Sequence, residues 1–159
     1  MKLSKNFSLG EMTKSQTAKR LGIDNTPTKS QIESLQTLCR AILQPVRDHF
    51  GVPFAPSSGY RSEDLCEAIG SSKQSQHAKG EAADFEVPGI SNYDLACWIK
   101  DNLEFDQLIL EFYDPVDPYS GWVHCSVKSN FNRKQCLTYD GKTYHKGIVK
   151  LATSCFSPM

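Results

Sequence analysis

The chain carries the stretch Ser75-Gln76-His77-Ala78-Lys79-Gly80-Glu81-Ala82-Ala83-Asp84, which sets an imidazole and a carboxylate seven residues apart with small residues between them. Gly80 permits a bend that folds the His77 loop back over the segment that carries Asp84. Imidazole and carboxylate are both zinc ligands, so the pair predicts a metal site. A histidine in a polar loop is more often only solvated, and a third ligand is therefore needed.

Side-chain alternation offers that third ligand. Residues 81–87 predict a strand that holds Asp84 on the face opposite its apolar residues. Residues 122–128 predict a strand in which His124 also faces away from the core. Taken alone, His124 fits equally well in an aromatic pair on a half-exposed sheet face. The candidate ligands of a two-histidine, one-carboxylate zinc site with one position left for water are His77, Asp84 and His124.

Zinc hydrolysis also needs a general base near the site. Residues 105–112 and 122–128 can pair as an antiparallel hairpin, which brings Glu111 onto the face of His124. A register shifted by one residue would turn Glu111 away, so this prediction is conditional. The fallback candidates, which belong to Asp-Pro turn sequences in the connecting loop, are Asp114 and Asp117.

Arg61 stands at a predicted strand-to-helix junction, where its planar fork can hold a substrate carboxylate or carbonyl. The alternative is a salt bridge to Glu63 or Asp64. Two other histidines lack partners at a useful spacing and are expected on the surface: His49 and His145.

The remaining patterns predict an α+β fold, in which a small antiparallel sheet carries the zinc site and packs against N-terminal helices. Thr28 and Gln31 form a capping-box pattern at the start of a long helix, which Pro45 should kink near its end. Asp140-Gly141 is a strong hairpin turn signal. Helices are predicted in residues 8–20, 28–50, 62–70 and 91–102, and strands in residues 81–87, 105–112, 122–128, 133–139 and 142–149.

Length and charge narrow the class of protein. The 159 residues suit one domain, placed at residues 1–150, with a tail at residues 151–159. The 18 basic and 18 acidic residues cancel, so no nucleic acid partner is expected. No apolar run approaches the roughly 20 residues of a membrane span, and no signal peptide is recognisable. We expect a monomer that is made in the cytoplasm and does not insert into a membrane.

Six cysteines are spread along the chain, none closer to the next than about ten residues. They predict reduced, mostly buried thiols that act as small hydrophobic residues. No C-x-x-C pair supports a cysteine zinc knuckle. A thiol activity at Cys125 is disfavoured because alternation turns that side chain toward the core.

Three motifs resemble the zinc D-alanyl-D-alanine carboxypeptidase family in order and spacing: Ser58-Gly59-Tyr60-Arg61, Ser75-x-His77-x-x-Gly80-x-Ala82-x-Asp84 and Trp122-Val123-His124. This family includes murein endopeptidases, bacteriophage endolysins and the related fold of Hedgehog signalling domains. The resemblance covers residues 3–128, and residues 3–7 and 17–23 resemble its phage-type branch. It implies that zinc is bound by His77, Asp84 and His124, and that a peptidoglycan stem peptide is contacted by Arg61 and Ser75.

One position departs from the family pattern. Many members place an acidic base three residues before the last histidine, where this chain has Gly121. Either Glu111 supplies the base or hydrolysis has been lost. We favour Glu111 because residues 106–111, Asp-Gln-Leu-Ile-Leu-Glu, resemble the phage-branch motif that precedes the Trp-x-His strand.

The leading hypothesis is a phage-encoded zinc peptidase that hydrolyses an amide bond of the murein stem peptide. The alternative is a non-catalytic, zinc-stabilised wall-binding or structural phage protein, which Gly121 keeps open. In either case we expect the protein to act on the bacterial cell wall after release or as part of a virion. The sequence does not choose between carboxypeptidase and endopeptidase, nor does it identify the stem-peptide bond.

Overall fold

Six α-helices and a five-stranded sheet form the part of the chain, residues 1–151, that this computed structural model describes. The helices are α1 (Leu9–Thr13), α2 (Gln16–Leu21), α3 (Lys29–Leu38), α4 (Gln44–Phe50), α5 (Glu63–Ala68) and α6 (Asn92–Asn102). The strands are β1 (Ala82–Phe85), β2 (Gln107–Glu111), β3 (Trp122–Ser126), β4 (Gln135–Tyr139) and β5 (Tyr144–Lys146). A π-helical turn, Cys39–Leu43, joins α3 to α4, and a 3-10 turn, Gln76–Lys79, precedes β1. The predicted α+β class is confirmed, whereas the predicted tail at residues 151–159 lies, apart from Leu151, outside the described residues.

The long helix predicted over residues 28–50 changes its pitch on the way. Thr28 and Gln31 make the predicted capping box at its start. Pro45 has no N–H, and its ring conflicts with the carbonyl four residues earlier. The helix widens ahead of the proline, so that the N–H of Gln44 donates to the carbonyl of Cys39, five residues back. The predicted disturbance at Pro45 therefore takes the form of the π-helical turn.

The strands lie in the order β1-β3-β2-β4-β5. Three neighbouring pairs are antiparallel as predicted, but β2 and β4 are parallel. The reason is where residues 127–134 lead the chain. Strand β3 runs antiparallel to β2 and ends opposite Gln107, the first residue of β2. Strand β4 then starts beside Gln107 and runs in the same direction as β2. The strands are also shorter than predicted, and β2 ends at Glu111 because Phe112 turns the chain with a φ of 57°.

One face of the sheet belongs to the core and the other carries the polar candidates. The inward-facing side chains are fully buried in the core, where α3 and α6 pack on the sheet: Ala83, Phe85, Leu108, Leu110, Val123 and Cys125. Each large aliphatic side chain buried in this way contributes about 1.5–3 kcal/mol. The thiols of Cys39 and Cys66 are also buried, and the five cysteines within residues 1–151 are free, in agreement with the prediction.

Across residues 1–151, every helix falls short of the length and apolar character that a membrane span requires.

Candidate metal centre

Three side chains meet on the polar face of the sheet. His77 comes from the 3-10 turn, Asp84 from β1 and His124 from β3. Because β1 pairs with β3, Asp84 lies directly opposite His124. One possible ligand atom of each residue lies within 4.8 Å of the other two. The three candidate ligands from the sequence are therefore brought together by the fold.

His77 is held in a fixed orientation. The side chain of Ser75 accepts a hydrogen bond from the backbone N–H of His77 at 3.2 Å and caps the 3-10 turn. Gly80 ends that turn with a φ of 75°, and a Cβ there would lie 2.6 Å from the carbonyl oxygen of Gln31. Nδ1 of His77 donates to the carbonyl oxygen of Gly59 at 2.8 Å, which leaves Nε2 directed at Asp84.

Asp84 lies at the centre of the group. Its Oδ1 is 2.9 Å from Nδ1 of His124 and 3.4 Å from Nε2 of His77. Burial acts to raise the pKa of Asp84, but the hydrogen bonds from His124 and His77 outweigh burial and hold that pKa well below its usual range. The carboxylate is therefore ionised at neutral pH, as a metal ligand must be.

The donor set fits zinc. Tetrahedral zinc with bonds of about 2.1 Å separates its ligand atoms by about 3.4 Å. The distances of 2.9 and 3.4 Å from Oδ1 of Asp84 are of this size. The hydrogen bond from His77 to a backbone carbonyl is also typical of metal-bound imidazoles, because it fixes the tautomer of the ligand.

Arg61 contacts Asp84 rather than its near neighbours in the sequence. Its Nη2 donates to Oδ2 of Asp84 at 3.0 Å, and its Nε donates to Oγ of Ser58 at 2.7 Å. The expected alternative, a salt bridge to Glu63 or Asp64, is not the one that forms. Arg61 thus orients the carboxylate from the side opposite the histidines, and its Nη1 is left for another oxygen.

Glu111 lies on the face of the candidate ligands. It pairs with Trp122, which is the register on which the prediction depended, and its Oε2 accepts a hydrogen bond from Nε1 of Trp122 at 2.9 Å. His124 is its diagonal neighbour on β3, a relation that places Cα atoms about 7–8 Å apart. Burial raises the pKa of Glu111, and the charge of Asp84 raises it further. A carboxylate with a raised pKa is a stronger base.

Comparison with known proteins assigns the chain to a family. A family model described as Peptidase M15 matches residues 5–126, a span that contains every candidate site residue from Arg61 to His124. The chain belongs to the M15 peptidase family. M15 peptidases are zinc-dependent, which agrees with the His-Asp-His group. No curated protein matches the chain. Strands β4 and β5 lie beyond the matched residues.

Gly121 stands where many M15 members carry the acidic base, and the backbone explains why no side chain fits there. Gly121 has a φ of 69°, and a Cβ on it would lie 2.0 Å from the carbonyl oxygen of Glu111 and 2.7 Å from backbone atoms of Phe112. Any side chain at this position would run into strand β2. The backbone of this M15 peptidase therefore leaves no room for an acidic side chain at position 121.

Other candidates in the sequence lie elsewhere. The carboxylates of Asp114 and Asp117 accept hydrogen bonds from the N–H groups of Val116 and Tyr119 in the β2–β3 connection, and neither lines the cavity at the metal centre. His49 is exposed, as expected, and stacks on Trp98 with 4.3 Å between ring centroids. His145 is half-buried and contacts Asp140, a partner that the sequence did not suggest.

The cavity at the centre of this M15 peptidase has a volume of about 380 Å³ and contains residues that the sequence did not single out. Gln107 and Ile109 follow from alternation in β2, since they share the face of Glu111. Tyr144 had no such signal, because its place depends on the parallel pairing of β2 with β4. The lining includes Arg61, Ser75, His77, Asp84, Gln107, Ile109, Glu111, Trp122, His124 and Tyr144.

Proposed function

We propose that this M15 peptidase is a zinc-dependent peptidoglycan hydrolase that cleaves an amide bond of the murein stem peptide. The observation that supports this most directly is the position of Glu111 in one cavity with His77, Asp84 and His124. A carboxylate beside a zinc site is the arrangement that amide hydrolysis needs.

Each residue has a distinct task in the proposed reaction. His77, Asp84 and His124 hold zinc, which when bound supplies a Lewis acid that polarises the scissile carbonyl and makes water nucleophilic near neutral pH. Trp122 holds Oε2 of Glu111, so Oε1 is the atom that takes the proton from the attacking water. The water oxygen adds to the carbonyl carbon, the C–N bond breaks, and Glu111 passes its proton to the leaving amine nitrogen.

Arg61 and Ser75 are proposed to contact the stem peptide. Arg61 already donates from Nε to Ser58 and from Nη2 to Asp84, so its guanidinium is held in place and Nη1 can donate a hydrogen bond to a substrate oxygen. Ser75 lines the cavity while it caps the turn that carries His77. The resemblance of residues 3–7 and 17–23 to the phage-type branch supports a phage-encoded lysis or wall-processing enzyme.

The experiment is digestion of purified murein by the zinc-loaded protein, followed by mass spectrometry of the fragments. Each scissile bond leaves a distinct mass, so the same digest identifies the bond and separates carboxypeptidase from endopeptidase action. We expect wild-type protein to release peptide fragments. Glu111→Gln should keep its zinc and lose about 10²- to 10⁴-fold in kcat, because general base catalysis contributes that much.

Glu104→Gln is the matched control, since Glu104 lies just before β2 with 82% of its side chain exposed. It should cleave at the wild-type rate. Full activity of Glu111→Gln would remove Glu111 from the role of base. Sacculi that are bound but never cut by zinc-loaded wild-type protein would instead favour the non-catalytic wall-binding alternative.

A further inference from the structure

The hairpin of β4 and β5 forms one wall of the metal-site cavity. It lies outside the residues that match the family model. The match to the M15 model ends at residue 126, whereas the hairpin begins at Gln135. Pairing of β4 with β2 sets Tyr139 beside Glu111, and pairing of β5 with β4 sets Tyr144 beside Tyr139. Tyr144 in turn lines the cavity together with the candidate ligands.

A row of aromatic rings holds Tyr144 in this place. Tyr144 stacks on Tyr139 with 4.3 Å between ring centroids and 25° between planes. Tyr139 packs edge-on against Phe112, which packs against Trp122 at 5.1 Å. Such contacts each add about 0.5–1.5 kcal/mol beyond their burial. The row therefore connects the hairpin to β3, the strand that carries His124.

The backbone around this row is shaped to support it. Phe112 has a φ of 57°, a conformation that bulky residues adopt only where the surroundings enforce it. A Cβ on Gly141 would lie 2.9 Å from the Phe112 ring, so the hairpin turn fits closely over that ring. Asp140 closes the turn by accepting hydrogen bonds from the N–H groups of Lys142 and Thr143. The hairpin turn and the aromatic row are thus packed closely against each other.

Tyr144 brings a phenol to the Glu111 side of the cavity. One face of its ring is covered by Tyr139, yet 55% of the residue is exposed. Burial and the nearby charge of Glu111 raise the pKa of its phenol, so the hydroxyl keeps its proton at neutral pH and remains a donor. A phenol thus provides a neutral donor and an apolar ring edge next to the charged groups of the cavity.

We propose that Tyr144 is a substrate-binding residue of this site, whose ring closes the Glu111 side of the cleft and whose hydroxyl donates a hydrogen bond to a backbone carbonyl oxygen of the bound peptide. This inference rests on the proposed function. It makes the terminal hairpin a specificity element that belongs to this chain rather than to the segment shared with the family.

The test measures binding and turnover separately. Muropeptides prepared by muramidase digestion are titrated by calorimetry into zinc-loaded Glu111→Gln, which should bind them without cleavage. In that background Tyr144→Phe should weaken binding about three- to tenfold, because one hydrogen bond is lost, and Tyr144→Ala more than tenfold. In the active protein both variants should lower kcat/KM mainly through KM, with zinc content unchanged. Tyr144→Phe keeps the stack on Tyr139 and should also keep the melting temperature, whereas Tyr144→Ala should lower it slightly.

Tyr119 supplies matched controls, since it is 60% exposed in the β2–β3 connection and does not line this cavity. Tyr119→Phe and Tyr119→Ala should bind like the parent protein. Tyr144→Ala that binds as tightly as its Glu111→Gln parent overturns the inference and leaves the proposed function intact. If the Glu111→Gln protein binds no muropeptide and the wild-type protein cuts no murein, the proposed function is overturned, and the inference with it.

Discussion

The imidazole of His77 is oriented before any metal arrives. Its Nδ1 donates to the carbonyl oxygen of Gly59, which leaves Nε2 as the nitrogen that faces Asp84 and the proposed metal position. The Ser75 cap and the left-handed Gly80 fix the turn on both sides of the ring. Binding of zinc would therefore cost little side-chain entropy at His77, because this proposed ligand is already held in place.

At this scale the clearest prediction concerns zinc affinity. His77→Ala removes one of the three proposed ligands, and we expect zinc to bind more than about 100-fold more weakly, since even loss of a supporting hydrogen bond to a ligand costs 10- to 100-fold. Competition with a chromophoric chelator gives the Kd, and elemental analysis gives the zinc content. His145→Ala, which alters the histidine of the terminal hairpin, should bind zinc like wild type. Equal affinity of His77→Ala and wild type would remove His77 from the ligand set.

At the scale of elements, the β2–β3 connection decides what can approach the metal centre. Asn92 of α6 anchors it: Nδ2 lies within 3.1 Å of the carbonyl oxygens of Ser120 and Gly121, and the N–H of Asn92 donates to the carbonyl of Pro118. This anchoring brings Gly121 against the end of β2, where no Cβ fits. The glycine at position 121 and the tight connection thus have one cause.

The loss of stability caused by a side chain at Gly121 can be separated from the loss caused by the positive φ of its backbone. Gly51 ends α4 with the same φ of 69°, but a Cβ there would meet nothing within 4 Å. Gly51→Ala should therefore lower the free energy of unfolding by about 1 kcal/mol, the cost of a positive φ. Gly121→Ala should cost at least about 2 kcal/mol more, because atoms of Glu111 and Phe112 must also move. Urea unfolding monitored by tryptophan fluorescence measures both, and equal losses would show that the connection is loose.

Local sequence patterns predicted much of the site, because side chains alternate between the two faces of a strand and two of the proposed ligands lie on strands. Asp84 and His124 were placed on the polar face by alternation alone, and Gly80 marked the bend that returns His77 to them. Glu111 needed one further fact, the register of β2 on β3, which a sequence leaves open since a shift of one residue reverses the face.

The parts that sequence reasoning missed depend on contacts between distant segments of the whole molecule. The parallel pairing of β2 with β4 has no local signal, because alternation is the same in parallel and antiparallel strands. Tyr144 joins the cavity only through that pairing. The partner of Arg61 was missed for the same reason: Asp84 is 23 positions away, whereas the expected partners Glu63 and Asp64 are only two and three positions away.

One buried carboxylate connects several of these distant segments. Asp106 is fully buried and accepts hydrogen bonds from the guanidinium of Arg133 at 2.8–3.2 Å and from the backbone N–H of Arg133. It also accepts a hydrogen bond from Nε2 of Gln76 in the 3-10 turn that carries His77. Asp106 thus joins the start of β2, the connection to β4 and the metal-site turn.

This arrangement predicts a specific acid sensitivity of the whole fold. The hydrogen bond from Arg133 lowers the pKa of Asp106 from 3.8 to about 2, against the effect of burial. A lowered folded-state pKa means that Asp106 stabilises the protein above about pH 4 and loses that contribution as the pH falls from 4 to 2. The contribution is about 2 kcal/mol.

Asp106→Asn should therefore unfold more easily at pH 7 by about 2 kcal/mol and lose less stability than wild type between pH 4 and 2. The measurement is urea unfolding at a series of pH values on both proteins. Glu104→Gln is again the matched control, because Glu104 pairs with Lys134 at 3.6 Å on the surface, where such a pair is worth little. If the wild-type and Asp106→Asn curves stay parallel between pH 4 and 2, the coupling of Asp106 ionisation to folding is absent, and the three segments are held together by packing alone.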